Sequence, residues 1–523
     1  RVVMGPFNRV EGDLEVTLEV DQGQIAAARV NSPLFRGFEQ VLIGRAPQDA
    51  LVVVPRICGI CSVAQSAAAA AALADAMGLV PSENGRRAQR LILATENLSD
   101  HLSHFYLFFM PDFAREAYGR RSWHGTAAAR FAAIKGSASA DMLPARANFL
   151  KLMGFLAGKW PHSLALQPGG STRAITSAER IRLLALLREF RAFLETTLFG
   201  DVLEAVAMID SAATLEAWRQ GRSGDFAAFL ALAADLGLDH CGRGSDDFLS
   251  FGAYGVFDAG TWRPVVGTGE LAPGLIREDH RHAWLVDDGP LHPAQGRTVV
   301  HVDKVDAYTW CKAPRYDGRV VEVGALARQV VDGHPLLRDL VARQGGSVTA
   351  RVVARLLELA RVVPLMEHWV RELVAGEPFC HHGVLPDEAQ GVGLVGGDLH
   401  DFDIEHDFGL WQVDGGHQPL DQAHHLGGVA NHHQVQALVD EHIAHLGNRA
   451  GQRLRLLGIG IGQVQRAGDQ LLVLALLGRG GGEHQHRVGI EQLAIELVAA
   501  EDDAHRLVQA HLAQKHGDAD VGL

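Results

Sequence analysis

Cysteine is scarce in this chain, five in 523 residues and in no regular framework. That excludes a disulfide-stapled secreted scaffold, and structural disulfides are not expected. Basic tracts are absent and the formal net charge is −14, which argues against nucleic acid or an anionic membrane surface as a partner. Apolar runs such as Leu471 to Leu477 fall far short of the roughly 20 residues a helix needs to cross a bilayer. No signal peptide is visible. The chain opens on Arg1 as a trimmed start does. These absences together point to the reducing cytosol. Apolar and charged residues, 47% and 21%, stand in the proportions of a globular protein able to bury a large core.

Against this background one pair of cysteines stands out, in Pro55-Arg56-Ile57-Cys58-Gly59-Ile60-Cys61-Ser62. Two thiols at this spacing can ligate one soft metal or close a small redox disulfide. A zinc site would need a second pair, but Cys241, Cys311 and Cys380 are isolated, with Cys380-His381-His382 the nearest aid. A thioredoxin-like dithiol would follow a strand in a βαβ unit, and none is evident. Half a zinc site, half a nickel or iron site, a dithiol and an inert buried pair all remain open.

The period of the apolar residues predicts a small β region followed by long helices. Leu14, Val16, Leu18 and Val20 alternate with polar neighbours, Asp21-Gln22-Gly23 can turn the chain, and Ile25 to Val30 can return it. Helices are expected over 62–78, which is alanine-rich, and over 86–110, which carries Glu96, His101 and His104. Others are expected near 180–198, 225–236, 323–333 and 347–374. Gly and Pro clusters at 168–170 and 289–293 mark loops. The expected fold class is α+β, predominantly α.

Further motifs surround the cysteines. Arg9-Val10-Glu11-Gly12-Asp13 and Phe35-Arg36-Gly37-Phe38-Glu39 lie upstream. His104-Phe105-Tyr106, Lys312-Ala313-Pro314-Arg315-Tyr316 and Glu322-Val323-Gly324 lie downstream. In this order they resemble the large subunit of nickel-iron hydrogenases, from residue 4 to about 395. Within that family the chain is most similar to the regulatory, hydrogen-sensing group. Gln65 stands where catalytic members usually carry a histidine. Ile60 and Phe108 stand where many members have a smaller Val and a Leu, and in the family reading they narrow the gas path. Core packing is the alternative for both.

The resemblance implies a set of roles. Cys58 would be a terminal nickel ligand, and Cys61 would bridge nickel to an iron carrying carbonyl and cyanide ligands. Glu11 would carry protons away from the site; a carboxyl shielded from water can have the raised pKa that suits this. Glu39 would hold a structural magnesium, a hard cation that prefers oxygen. Plain solvated carboxylates are the alternatives for Glu11 and Glu39, and satisfied structural histidines for His101 and His104. No further cysteine cluster could hold iron–sulfur centres, so an iron–sulfur small subunit is the implied partner in a heterodimer. Maturation proteins and a signalling histidine kinase are implied beside it, with dihydrogen as substrate.

The domain reading follows these motifs: a β region over 1–50 with Glu11 and Glu39, a helical hydrogenase core over 51–395, and a divergent tail over 396–523. The tail holds about half of the 27 histidines, one lysine (Lys515), no cysteine, and after Pro386 only Pro419. It reads as a His-rich metal store, a polar extension, or the product of another reading frame of a GC-rich gene. The third reading is favoured, because the family motifs stop where the composition changes. The family's second motif, Asp-Pro-Cys-x-x-Cys-x-x-His, has no counterpart in these 523 residues. Two thiolates cannot complete a four-sulfur cage, so these residues by themselves are expected to be inactive. A metal-free scaffold that binds the small subunit is one rival. A quinone-linked subunit like that of respiratory complex I is another, and the two cysteines speak against it.

Overall fold

The computed structural model describes residues 1–7 and 14–397, with the backbone of one strand at 411–415. Residues 1–19 and 26–444 group into one compact unit. The other comprises 20–25 with 445–523 and is described only at its turn. Glu11 and most of the tail therefore lie outside the described residues.

Strands β1 (Val2–Phe7), β2 (Leu14–Asp21) and β3 (Gln24–Asn31) form a sheet in that order. β1 runs antiparallel to β2, with Val2 opposite Leu18 and Met4 opposite Val16. The alternation read from the sequence holds in part: Leu14, Val16 and Leu18 are buried and Glu19 faces solvent, but Thr17 is buried as well and Val20 only half-buried. Gln22 and Gly23 both take positive φ, the pairing a tight two-residue hairpin turn requires.

Helix α1 (Ser62–Met77) is alanine-rich and buried on almost every side, ending at Gly78 in the left-handed conformation. Helix α2 (Glu83–Ser103) begins at Ser82, whose hydroxyl accepts from the Gly85 N–H. The continuous helix expected to residue 110 changes character early. Residues His104–Phe109 wind as a π-helix and Met110–Ala114 as a tight 3-10 turn. The change comes just before Pro111, which has no N–H for the Leu107 carbonyl.

Helix α3 (Ser177–Phe193) opens with a capping box between Thr176 and Glu179, and α4 (Asp225–Leu236) follows. A second sheet, β4 (Phe248–Ala253), β5 (Phe257–Arg263) and β6 (Gly267–Gly269), was not expected from the sequence. Its strands are short and glycine-rich, which hides the alternation. β7 (Ile276–Asp279) pairs antiparallel with β8 (Ala313–Tyr316), placing Glu278 opposite Pro314.

Helices α5 (Ala325–Val331) and α6 (Val348–Arg371) complete the bundle. α6 packs on α2, α3 and α5. Its buried face carries charge as well as apolar side chains. Arg328 of α5 meets Glu358 at 3.0 Å, and Arg351 meets Glu322 at 2.8 Å, all four buried. Strand β9 (Ala389–Gly393) lies against α1 and pairs with β10 (Trp411–Gly415). The tail thus contributes one described strand.

Candidate metal centre

Cys61 is the N-cap residue of α1, and its side chain makes no capping hydrogen bond. Cys58 and Cys61 are both buried, 7% and 2% exposed. Their thiols share a hydrogen bond. That bond first, and burial second, push the Cys61 thiol well above its usual pKa. A metal must therefore displace protons to bind here. One turn into the helix, Gln65 donates from Nε2 to Cys61 Sγ at 3.7 Å. The sequence-predicted trio of Cys58, Cys61 and Gln65 is thus brought together.

The start of α1 is anchored by Glu96 of α2, itself buried. Its carboxylate accepts from the Val63 N–H at 2.8 Å, the Ala64 N–H at 3.0 Å and the Ser62 hydroxyl at 3.2 Å. Trp160 Nε1 donates to it at 2.7 Å. Burial pushes the Glu96 carboxyl up to about 8, against the hydrogen bonds from Trp160, Val63 and Ala64. The Trp160 loop also braces the cysteines from the other side. The His162 N–H donates to Ser62 Oγ, and its ring Nδ1 lies 2.8 Å from the Pro55 carbonyl. Glu96 falls in a helix the sequence predicts, but nothing in the sequence pointed to its contacts, nor to Trp160 or His162.

The Phe35–Glu39 motif reaches the same loop through Arg36, whose guanidinium donates to the carbonyls of Arg56 and Ile57. Gly37 turns the chain there at φ 62°, a left-handed conformation that favours glycine. Glu39 itself points to another cluster. Lys312 Nζ donates to Glu39 at 2.6 Å and to Glu278 at 3.0 Å, and Thr298 Oγ1 donates to Glu39. Burial raises the Glu39 carboxyl. In Glu278, Lys312 and His280 outweigh burial and hold the carboxyl down. Glu278 Oε1 and His280 Nε2 are buried without a hydrogen-bond partner.

The remaining candidates are dispersed. Ile60 is half-buried against the core, and Phe108 is half-buried in the π-helical turn. His104 stacks on Phe109 at 5.8 Å. His101 Nε2 lies 3.6 Å from Glu358, which also accepts from the Tyr254 hydroxyl at 2.8 Å. This supports a structural histidine.

The model of the nickel-dependent hydrogenase family matches residues 36–117 and 110–395, most of the described chain. The chain belongs to the nickel-iron hydrogenase large subunits. It is 27% identical to the periplasmic [NiFeSe] hydrogenase large subunit of Desulfomicrobium baculatum, over 76% of this chain and 80% of that one. It is 30% identical to the coenzyme F420 hydrogenase subunit alpha of Methanothermobacter thermautotrophicus, over 77% and 83%. A crystal structure of the Ni-Fe-Se hydrogenase from D. vulgaris Hildenborough in the reduced state superposes with a TM-score of 0.62 at 26% identity, covering 75% of this chain and 83% of that one. The expected α+β fold of the family is thereby established, and the match ends at 395, where the sequence motifs stop.

In this hydrogenase subunit Cys58 and Cys61 fit a soft metal, as adjacent buried thiols backed by a rigid helix. They supply a pair of donors only. Among the described residues no group of three His, Cys, Asp or Glu side chains is placed to hold a metal ion, and residues 398–523 contain no cysteine. The Glu39 cluster fits a hard cation in part. Two carboxylates share one ammonium, and Glu278 Oε1 is unpartnered, but among the described residues no third ligand converges.

Proposed function

We propose that this large subunit serves hydrogen sensing: it activates dihydrogen heterolytically and passes electrons to an iron–sulfur small subunit. The observation that carries the reading is the Gln65 amide bonded to Cys61 Sγ, where a titratable histidine would otherwise stand. A glutamine holds the sulfur without offering a proton-accepting imidazole, which suits slow signalling turnover better than rapid proton export.

Nickel held by Cys58 and Cys61, with iron carrying carbonyl and cyanide ligands, would supply the electrophilic, redox-active centre for splitting dihydrogen. The chain supplies the rest. The two thiolates hold the metal, Gln65 donates to one of them, and Glu11 relays the proton outward. Magnesium at Glu39 is proposed on the net negative charge beside Lys312 and the orphaned oxygen of Glu278. Ile60 and Phe108 are proposed to restrict gas access. Maturation proteins, a signalling histidine kinase and a cytoplasmic location complete the reading. The 523 residues by themselves hold half the sulfur ligands of the centre and are proposed to be inactive alone.

The test is co-expression, with a small subunit and maturation proteins, of a form given the family's second Cys-x-x-Cys motif; the 523 residues by themselves are expected to hold neither metal. Stoichiometric nickel and iron, infrared bands of carbonyl and cyanide, and dihydrogen–deuterium exchange support the reading. Gln65→His is expected to raise turnover, and Ile60→Val with Phe108→Leu to raise inhibition by oxygen; unchanged oxygen sensitivity would remove the gas-path assignment. The pair-only donor set favours a second reading, a metal-free scaffold, which retained small-subunit binding without either metal would establish.

A further inference from the structure

We infer that Glu96 is a positioning residue for the metal-binding thiols: it caps α1 from a neighbouring helix, so that Cys61 can stand at the cap position with its sulfur directed to a metal. A helix start leaves its first N–H groups without partners, and the side chain at the N-cap ordinarily accepts from the second or third of them. In α1 the N-cap is Cys61, which makes no such bond. A thiol is a weak acceptor, and a sulfur committed to metal cannot cap. Glu96 takes over the task, with Val63 and Ala64, the second and third residues of the helix, donating to its Oε1 at 2.8 and 3.0 Å.

The same carboxylate is tied on its far side. Oε2 accepts from Ser62 Oγ and from Trp160 Nε1, and Ser62 in turn accepts from the His162 N–H. Glu96 therefore joins α2, the first turn of α1 and the Trp160 loop at one point directly behind the cysteine pair. The turn it fixes also sets Gln65, whose backbone N–H bonds the Cys61 carbonyl at 3.2 Å while its amide reaches Sγ. A displacement of this first turn moves Cys61 and Gln65 together. A group that only stabilised the fold would not need this connection.

The inference rests on the thiolate-ligand reading above, and the experiment separates the two. The full chain is prepared as the parent, Glu96→Gln, Glu96→Asp, Trp160→Phe and Cys58→Ser. Glutamine keeps the size of Glu96 and one acceptor oxygen for the Val63 and Ala64 N–H groups, but puts an NH2 donor where the Trp160 indole N–H needs an acceptor. Cobalt(II) is the metal probe, read by its thiolate charge-transfer absorption. The second readout is the dithiol–disulfide equilibrium of Cys58 and Cys61 against reduced and oxidised glutathione, which needs no metal. Folded Glu96→Gln is expected to bind cobalt about tenfold more weakly with a shifted band and to change the equilibrium at least about threefold. Glu96→Asp should recover part of both effects, and Trp160→Phe should move both in the same direction by less. Cobalt affinity, band and equilibrium all matching the parent in folded Glu96→Gln would overturn the inference. Should Glu96→Gln not fold, Trp160→Phe decides by the same criteria. A parent without a thiolate band, or a Cys58→Ser variant that keeps it, defeats the ligand reading instead, and the glutathione equilibrium still decides the role of Glu96.

Discussion

The backbone of Gly391 rests directly on α1 at Ala72: a Cβ at Gly391 would stand 2.1 Å from the Ala72 carbonyl oxygen and 2.5 Å from the Ala76 nitrogen. Gly393 repeats the relationship one helical turn closer to the cysteines, against Ala68. Asp75 fixes the strand between them by accepting from the Val392 N–H at 2.8 Å. β9 therefore lies on the helix that carries the metal-binding pair, with small residues on both sides of the contact.

Gly391→Ala should separate strand from helix, because the obstructing atoms are backbone and cannot swing away. The expected loss is about 1–3 kcal/mol of stability, measured by urea unfolding. A variant as stable as the parent would show that β9 does not lie on α1.

Glu358→Gln should leave the Arg328 guanidinium buried against a neutral partner and lower stability by roughly 3–5 kcal/mol at neutral pH. The pH dependence should change with it. Arg328, His101 and Tyr254 outweigh burial and hold the Glu358 carboxyl at about 2, below its usual 4.5. The unfolded chain then takes up this proton first. The contribution is full above about pH 4.5 and is lost as pH falls toward 2, amounting to about 3 kcal/mol. Glu358→Gln should lack that part of the acid limb in denaturant titrations from pH 7 to 2; an identical limb counts against the assignment.

Lys312→Met should leave Glu39 and Glu278 buried together without their shared cation. A loss of about 3–5 kcal/mol is expected, with partial recovery in millimolar magnesium, since two carboxylates offer oxygen to a hard cation. Unfolding with and without magnesium checks this. No response to magnesium would remove the cluster as a cation site.

Cys61→Ser, in a form given the family's second Cys-x-x-Cys motif and assembled with its small subunit, should abolish nickel retention and hydrogen activation and lower the melting temperature toward that of the metal-free parent, since a bound metal stabilises the fold. Metal analysis and isotope exchange are the measurements. Full activity in this variant would show that Cys61 is not a ligand.

Much of the helical core was legible in the letters because its apolar period is long and regular. The expected helix over 225–236 coincides with α4, and the one over 62–78 with α1 to within a residue. The second sheet was not legible, since Phe248 to Gly269 alternates too briefly and turns on glycines. The cysteine pair announced itself by spacing, and Gln65 by its place four residues on. Glu96, Trp160 and His162 did not, because what they do depends on three segments about thirty and sixty residues apart meeting at the first turn of α1. Glu39 was read as a ligand, but its lysine partner lies 273 residues away.

By itself the sequence determined the family, the order of the motifs, the helix periods and the thiol pair, because these depend on residue type and local spacing. Tertiary structure alone decided which carboxylate caps the cysteine helix, which cation Glu39 faces and how closely β9 approaches α1. Each of those is a contact between distant segments, set by burial and by the need of every enclosed polar group for a partner.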